Sequence, residues 1–263
     1  MSFTRLQGLI ADKKAPIAVG LDPRPSMLGK GETLFDFNKR IIDATVELVP
    51  AVKPQAAFYE AFGTSGLDSL RYTIKYARQQ GLYVILDAKR GDIGSTAEAY
   101  AEAYFAKGSA FECDALTVNA YLGSDGIKPF LKLAQANDKA IFALVKTSNP
   151  SSGELQDLIT DTGEPVYVRV AKTLDAFGDT EHLGFVVGAT YPQQLAELRA
   201  MFPATFFLVP GYGAQGGDAA DIAPAFANGG CAIVNNSRGI IAAENPRSAV
   251  LTMKDDLLSV CGL

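Results

Sequence analysis

Eight short apolar runs recur along this chain at intervals of about 30 residues, and helix-like stretches separate most of them. The runs, which we predict to be strands, cover residues 17–21, 51–58, 82–86, 115–118, 140–145, 184–187, 205–209 and 231–234. The predicted helices cover residues 33–48, 66–80, 95–107, 126–137, 166–177 and 192–201. This repeated alternation favours an α/β fold, a (β/α)8 TIM barrel, over an open doubly wound sheet, and no dinucleotide-binding fingerprint follows the first run.

The length and composition of the chain are those of one globular domain. It has 263 residues, of which 48% are hydrophobic and 20% are charged, and no linker or change of composition marks a second domain. We therefore predict a single barrel domain over residues 1–263. The net charge of −5 and the lack of a basic block argue against a nucleic-acid partner.

The N-terminal sequence and the cysteines indicate where the protein works. The first residues lack the basic and apolar regions of a signal peptide, and no apolar run reaches the roughly 18 residues of a membrane span, so we predict no membrane partner. The three cysteines are far apart and show no C-x-x-C spacing, which indicates neither a disulfide framework nor a zinc site. We expect a cytoplasmic protein.

Polar residues follow seven of the eight apolar runs. Because barrel enzymes build their sites at the carboxyl ends of the strands, these residues should converge on one rim. The richest cluster is the run DAKRGD at 87–92, directly after the third strand. Charges at the end of a buried strand must be paired or functional.

Lys89 is the central residue of that run. Side chains alternate along a strand, so Asp87 and Lys89 should point the same way, and Gly91 lets the chain turn and bring Asp92 back. An ammonium between two carboxylates keeps its proton, so we predict that Lys89 acts as an acid toward a carbanion rather than as a Schiff-base nucleophile. A structural ion pair at the strand end is the alternative, which the convergence of polar groups disfavours.

Four further residues are weighed individually. Lys53 lies within an apolar run, so we expect it to face the carboxylates at the barrel mouth. Asp22 either binds a substrate hydroxyl or begins a turn with the proline that follows it, and Ser148 either binds a polar ring edge or caps a helix. His182, the only histidine, lies in a polar segment, where we expect a surface role and no catalytic triad or metal site.

The loops after the last two strands are suited to binding a phosphate. Four glycines in 211–217 let the backbone approach an anion closely, and Gln215 can donate a hydrogen bond. Arg238, after the eighth strand, offers a planar guanidinium for bidentate contact. An ordinary flexible turn is the alternative for the glycine loop alone, but its pairing with Arg238 favours phosphate.

These residues together are similar to a known family. The chain resembles the orotidine 5′-phosphate decarboxylases, specifically the bacterial group often called type 2, over nearly its full length. The shared motifs are GLDPR at 20–24, KPQ at 53–55, DAKRGDIGST at 87–96, TVN at 117–119, TSNP at 147–150, PGYGAQGG at 210–217 and SRG at 237–239. One departure is Ala120, where the group's pattern has proline.

The resemblance implies a decarboxylase that makes uridine 5′-phosphate and carbon dioxide from orotidine 5′-phosphate, the last step of pyrimidine nucleotide synthesis, without metal or organic cofactor. It implies an alternating array in which Lys89 protonates carbon 6 of the pyrimidine and Asp87 lies beside the departing carboxylate. The further implied roles are ribose binding by Asp22 and Lys53, contact of Asp92 and Thr96 with the ribose in the partner subunit of a homodimer, pyrimidine binding by Ser148, and phosphate binding by Gln215 and Arg238.

Two rival interpretations follow from the same residues. Magnesium-dependent sugar-phosphate decarboxylases and aldolases of the same superfamily resemble this chain in having Asp-x-Lys-x-x-Asp, and a magnesium requirement would distinguish them. A non-catalytic phosphate-binding module would keep Gln215 and Arg238 without needing the charged array. The extended 90–96 run and the SNP segment at 148–150 favour the pyrimidine enzyme.

Overall fold

Eight parallel strands close into one barrel in the computed structural model, which describes residues 2–213 and 217–262. Each strand pairs with the next along the chain, and β8 pairs with β1, so the predicted (β/α)8 barrel is confirmed. The strands are β1 (Ile17–Leu21), β2 (Ala51–Pro54), β3 (Tyr83–Arg90), β4 (Ala115–Val118), β5 (Ala140–Lys146), β6 (Leu183–Val187), β7 (Phe207–Pro210) and β8 (Ala232–Asn236).

Helices follow the strands and form the outer layer. The α-helices are α1 (Ser2–Lys13), α2 (Leu34–Thr45), α3 (Ala57–Glu60), α4 (Gly63–Gln79), α5 (Gly94–Phe105), α6 (Ser124–Ala136), α7 (Gly153–Gln156), α8 (Val166–Asp175), α9 (Pro192–Met201), α10 (Ala219–Ile222), α11 (Arg238–Ile241) and α12 (Pro246–Cys261). Short 3-10 segments cover Pro25–Met27, Pro150–Ser152 and Ala223–Gly229. No helix in these two described ranges combines the length and the apolarity needed to cross a bilayer.

Two strands differ most from their predicted bounds, and both differences shape the rim, whereas β5, β6, β7 and β8 differ by fewer residues. The second strand was predicted over 51–58 but ends at Pro54, which has no N–H to continue the ladder, and the apolar residues after it belong to the helical turn α3. The third strand runs beyond 86 to Arg90, because Arg90 pairs with Val118 after a bulge in the ladder. The charged run 87–90 therefore lies within β3, on the rim itself.

The helix α1, which the apolar pattern did not predict, covers the amino end of the barrel. Its buried residues Phe3, Leu6 and Ile10 pack with the inward-facing side chains of the strands. The Phe3 ring lies 5.0 Å from that of Phe142 and 4.9 Å from that of Phe206. Because α1 packs into the amino end, the carboxyl rim is the end at which a substrate can reach the barrel interior.

Candidate active site

A buried carboxylate lies between two ammonium groups on the rim. Asp87 Oδ2 is 2.7 Å from Lys53 Nζ, and Asp87 Oδ1 is 2.5 Å from Lys89 Nζ. The side chains of Lys53 and Asp87 are only 5% and 10% exposed, whereas that of Lys89 is 46% exposed. The prediction that Lys53 faces a carboxylate at the barrel mouth is confirmed, and Lys89 is the cation of the cluster that a substrate can reach.

The charges around Asp87 and Lys53 keep these two groups ionised. Burial alone would raise the pKa of the Asp87 carboxyl, but the charge of Lys53 and then that of Lys89 outweigh burial and hold this pKa well below its usual range. Burial would likewise lower the pKa of Lys53, but the charges of Asp87 and then Asp22 outweigh it and raise that pKa above its usual value. The site therefore presents fixed charges at neutral pH.

The hydroxyl of Thr117, in β4, holds this cluster in place. It donates to Asp87 Oδ1 at 3.0 Å and accepts hydrogen bonds from the backbone N–H groups of Ala88 at 3.0 Å and Lys89 at 2.9 Å. Lys89 has a φ of +47°, a left-handed conformation that is costly for a residue with a side chain and that clusters at functional sites. We did not predict this role for Thr117, although it is the one polar residue of the four in β4.

Asp92 and Thr96 do not join the cluster within one chain. We expected Gly91 to return Asp92 to Lys89, but no ion pair links Asp92 with Lys89 in the described ranges. Instead Asp92 Oδ1 accepts a hydrogen bond from the N–H of Ile93 at 2.9 Å, immediately before α5 begins. Thr96 is exposed on α5. The single chain thus forms one carboxylate between two lysines, and not the expected lysine between two carboxylates.

Asp22 and Ser148 lie at the ends of β1 and β5 with polar atoms unused. Asp22 Oδ1 is buried without a hydrogen-bond partner among the described residues, and a substrate hydroxyl would satisfy it. Ser148 does not cap a helix, because the next helical segment, Pro150–Ser152, has Asn149 at its N-cap and no side-chain cap. Within the described part of the chain the Ser148 hydroxyl makes no hydrogen bond, so the capping alternative is not supported.

The predicted phosphate end is described in part. Arg238 is exposed and is the first residue of α11, two residues after β8 ends. The chain there packs tightly on β1, since a Cβ added to Gly20 would lie 1.8 Å from Ser237 Oγ. Gln215 lies outside the described residues. A buried amide oxygen of Asn235, Oδ1, has no partner among the described atoms; Asn235 is one of the polar residues expected on this rim, but we predicted no binding role for it.

The remaining titratable residues lie elsewhere. His182 directly precedes β6 at the amino end of the barrel, and its Nδ1 is 3.0 Å from Asp179 Oδ2. It is partly buried in this contact rather than free on the surface, and it is remote from the rim. In residues 2–213 and 217–262 no three His, Cys, Asp or Glu side chains are grouped to hold a metal ion.

With this geometry in hand, comparison with known proteins decides the family. The family model described as "Orotidine 5′-phosphate decarboxylase / HUMPS family" matches residues 15–253. The chain belongs to this family.

Individual relatives in the family bear the same name. An orotidine 5′-phosphate decarboxylase of Rhodopirellula baltica is 46% identical, covering 92% of this chain and 89% of its own length. An orotidine 5′-phosphate decarboxylase of Haloarcula marismortui is 44% identical, and the match covers 97% of this chain and 90% of the relative's length. Among solved structures, that of Leishmania donovani OMP decarboxylase has a TM-score of 0.85 and 34% identity, and the match covers 100% of this chain and 99% of that one.

Proposed function

We propose that residues 1–263 act as a single decarboxylase domain that converts orotidine 5′-phosphate to uridine 5′-phosphate and carbon dioxide, the last step of pyrimidine nucleotide synthesis, without a metal or organic cofactor. The observation that carries the proposal is the Lys53–Asp87–Lys89 cluster on the rim of a barrel whose relatives bear the decarboxylase name. A cytoplasmic location is part of the proposal, supported by three cysteines that are free thiols.

Lys89 is the proton donor in this proposal. Loss of carbon dioxide leaves an electron pair at carbon 6 in the plane of the ring, where resonance gives little relief, so the barrier is very high. The Lys89 ammonium stabilises that charge and then transfers its proton to carbon 6. Its accessibility and the Thr117 bonds to its backbone support this role, because they leave the side chain reachable while fixing its origin.

Asp87 favours the transition state by repulsion that the reaction relieves. Two carboxylates about 4 Å apart repel by roughly 4 kcal/mol at an effective dielectric of 20, and this repulsion disappears when the substrate carboxylate leaves as neutral gas. Asp87 stays ionised because its pKa is held low by Lys53 and Lys89. The carboxylate is therefore ionised and available to act on the bound substrate at neutral pH.

The other rim residues bind the parts of the substrate that do not react. Asp22 and Lys53 hold the ribose hydroxyls, which supplies the missing partner of the buried Asp22 oxygen. Ser148 binds the pyrimidine edge with its unused hydroxyl, and Gln215 and Arg238 bind the phosphate. Binding energy from the phosphate helps to expel water from the charged cluster.

The proposed assembly is a homodimer in which Asp92 and Thr96 reach the partner's site. Neighbouring apolar side chains support this assembly, because Ile93, Tyr121 and Leu122 are all large and exposed after β3 and β4. A two-fold contact through this patch would bury them and make the exchange of Asp92 reciprocal. The partner's Asp92 would then supply the second carboxylate that Lys89 lacks within one chain.

The magnesium-dependent alternative is disfavoured by the donor set. Both oxygens of Asp87 already contact an ammonium, whereas magnesium needs oxygen ligands in a near-octahedral shell.

Absorbance of orotidine 5′-phosphate incubated with purified protein in excess chelator tests the proposal, with Lys89→Ala protein as the control. We expect complete conversion to uridine 5′-phosphate by the wild type alone. No conversion, or conversion that requires added magnesium, would refute the proposed reaction.

A further inference from the structure

The loop between β5 and α8 is held at its base by an ion pair between a buried lysine and an exposed aspartate. Lys146, the last residue of β5, has a fully buried side chain, and its Nζ is 2.6 Å from Asp157 Oδ1. The same ammonium lies 4.5 Å from the centre of the Tyr191 ring. A buried ammonium is costly without such partners, so the pair ties the residues after α7 to the end of the strand.

Gln156, the residue before Asp157, binds the same strand end at a second point. Its Oε1 accepts a hydrogen bond from the N–H of Thr147 at 2.9 Å, and its Nε2 donates to Thr147 Oγ1 at 2.7 Å. Thr147 Oγ1 in turn donates to Asn149 Oδ1 at 2.7 Å. Both flanking residues of Ser148 are therefore held through one amide side chain.

The backbone of Ser148 is held from the opposite side by the loop after β6. Thr190 Oγ1 donates to Ser148 O at 3.1 Å, and Tyr191 OH donates to Asn149 O at 3.2 Å. A Cβ added to Gly188 would lie 2.9 Å from Ser148 Cα and Cβ, so only glycine leaves room for the serine. Ser148 is thus fixed on every side while its hydroxyl makes no hydrogen bond in the described part of the chain.

We propose that Gln156, backed by the Lys146–Asp157 pair, is a positioning residue that orients the Ser148 hydroxyl toward the substrate ring. This inference rests on the proposed function, in which Ser148 binds the pyrimidine edge. The network explains why a serine at a strand end needs so many backbone partners, because a hydroxyl displaced by about 1 Å would lose the geometry that a directional hydrogen bond requires. Gln156 touches no substrate and acts through Ser148.

A double-mutant cycle between Gln156→Leu and Ser148→Ala tests the inference. We expect Gln156→Leu to lower kcat/KM for orotidine 5′-phosphate by about tenfold, and to lower it less than twofold when Ser148 is already alanine, because coupled residues are not additive. Gln156→Glu keeps the acceptor for the Thr147 N–H and should recover part of the loss. The matched control is Glu154→Ala, since Glu154 is exposed on the same helix and makes no ion pair or hydrogen bond within the described ranges.

Equilibrium binding of two ligands distinguishes a positioning role from a general structural role. A general structural defect would weaken both ligands, whereas loss of positioning at Ser148 would weaken only the ligand that has the pyrimidine ring. Calorimetry with two ligands should show that Gln156→Leu weakens the binding of uridine 5′-phosphate by about tenfold but changes the binding of ribose 5-phosphate, which lacks the pyrimidine ring, by less than twofold. Equal weakening of both ligands, or additive losses in the cycle, would overturn the inference while leaving an active wild type and the proposed function intact. A wild type that neither decarboxylates the substrate nor binds uridine 5′-phosphate would refute the proposed function, and this inference with it. If Gln156→Leu lowers the thermal midpoint by more than Glu154→Ala does, the binding of the two ligands is compared in Gln156→Glu instead of Gln156→Leu.

Discussion

Lys53 and Lys89 contact the same carboxylate, but their removal should have different effects on the fold. We predict that Lys53→Met strongly destabilises the protein and abolishes activity, whereas Lys89→Met abolishes activity and leaves the free energy of unfolding nearly unchanged. The difference follows from burial, because the Lys53 side chain is 5% exposed and that of Lys89 is 46% exposed. Methionine is chosen because it keeps an unbranched chain of similar length in both places.

The magnitudes can be worked from these contacts. Removing one partner of a buried ion pair costs about 3–5 kcal/mol, and Lys53→Met should lie near the lower end of this range, because the buried Asp87 keeps its contacts with the half-exposed Lys89 and with Thr117. A half-exposed pair contributes about 0–1 kcal/mol, and without Lys89 the Asp87 carboxylate still contacts Lys53 and Thr117. The two variants should therefore differ by about 3 kcal/mol, a large share of the roughly 5–15 kcal/mol that stabilises a typical domain.

Urea unfolding at neutral pH, with the decarboxylation assay on the same samples, measures both effects. Lys75→Met is the matched control, because Lys75 is exposed on α4 and makes no ion pair within the described ranges. In Lys53→Met the burial of Asp87 is no longer offset by Lys53, so the pKa of Asp87 rises and the loss of stability should shrink as the pH falls and the carboxyl is protonated. Equal destabilisation by both variants, or substantial activity in Lys89→Met, would refute the reasoning.

Three further predictions follow from the site and its surroundings. Co-refolding equal amounts of Lys89→Ala and Asp92→Ala proteins should restore roughly a quarter of wild-type activity, because half the dimers are mixed and each has one intact site; no recovery in confirmed mixed dimers would place Asp92 outside the partner's site. Arg238→Ala should slow the nucleotide by more than a hundredfold and leave the phosphate-free nucleoside unchanged in a steady-state assay, whereas equal slowing would make the arginine structural. Burial alone would raise the pKa of Glu112, but its hydrogen bonds with Arg78, the Gly108 N–H and Lys139 outweigh burial and lower this pKa to about 2 from a usual value of 4.5. In urea unfolding, the stability advantage of wild type over Glu112→Gln should therefore be complete above pH 4.5 and should decrease as the pH falls toward 2. An advantage that does not change with pH would contradict this assignment.

The strands were predictable because the strands of a parallel barrel are buried, and buried strands appear in the sequence as short apolar runs between helices. β1 and β4 have the predicted bounds, and β5 and β6 differ by a single residue at one end. The bounds of β3 were not predictable, since a bulge and a residue with positive φ depend on pairing with β4. The helix α1 has apolar residues at helical spacing, but its role in covering the barrel depends on side chains from distant strands.

The site was predictable to the extent that its residues lie at the carboxyl ends of strands. The contacts of Lys53 and Lys89 with Asp87 follow from the shared rim, whereas the position of Asp92 depends on where α5 begins. Thr117 lies in the TVN motif, but its support of the cluster was not predictable, because its three hydrogen bonds reach a neighbouring strand. Hydrogen-bond partners that are far apart in sequence are the information a single sequence does not contain.

Closure of the barrel between β1 and β8 has a consequence for how the protein is made. Ile17 pairs with Val234, so roughly 200 residues must leave the ribosome after β1 before that strand gains its second neighbour. Throughout that interval β1 presents an unpaired edge on which foreign strands can add. The charged cluster is synthesised early, since it consists of Lys53, Asp87 and Lys89. The strand that closes the barrel around it, β8, is synthesised near the end. A nascent chain stalled before residue 232 would therefore carry every charged residue of the cluster and remain inactive, with β1 at an open edge of the sheet.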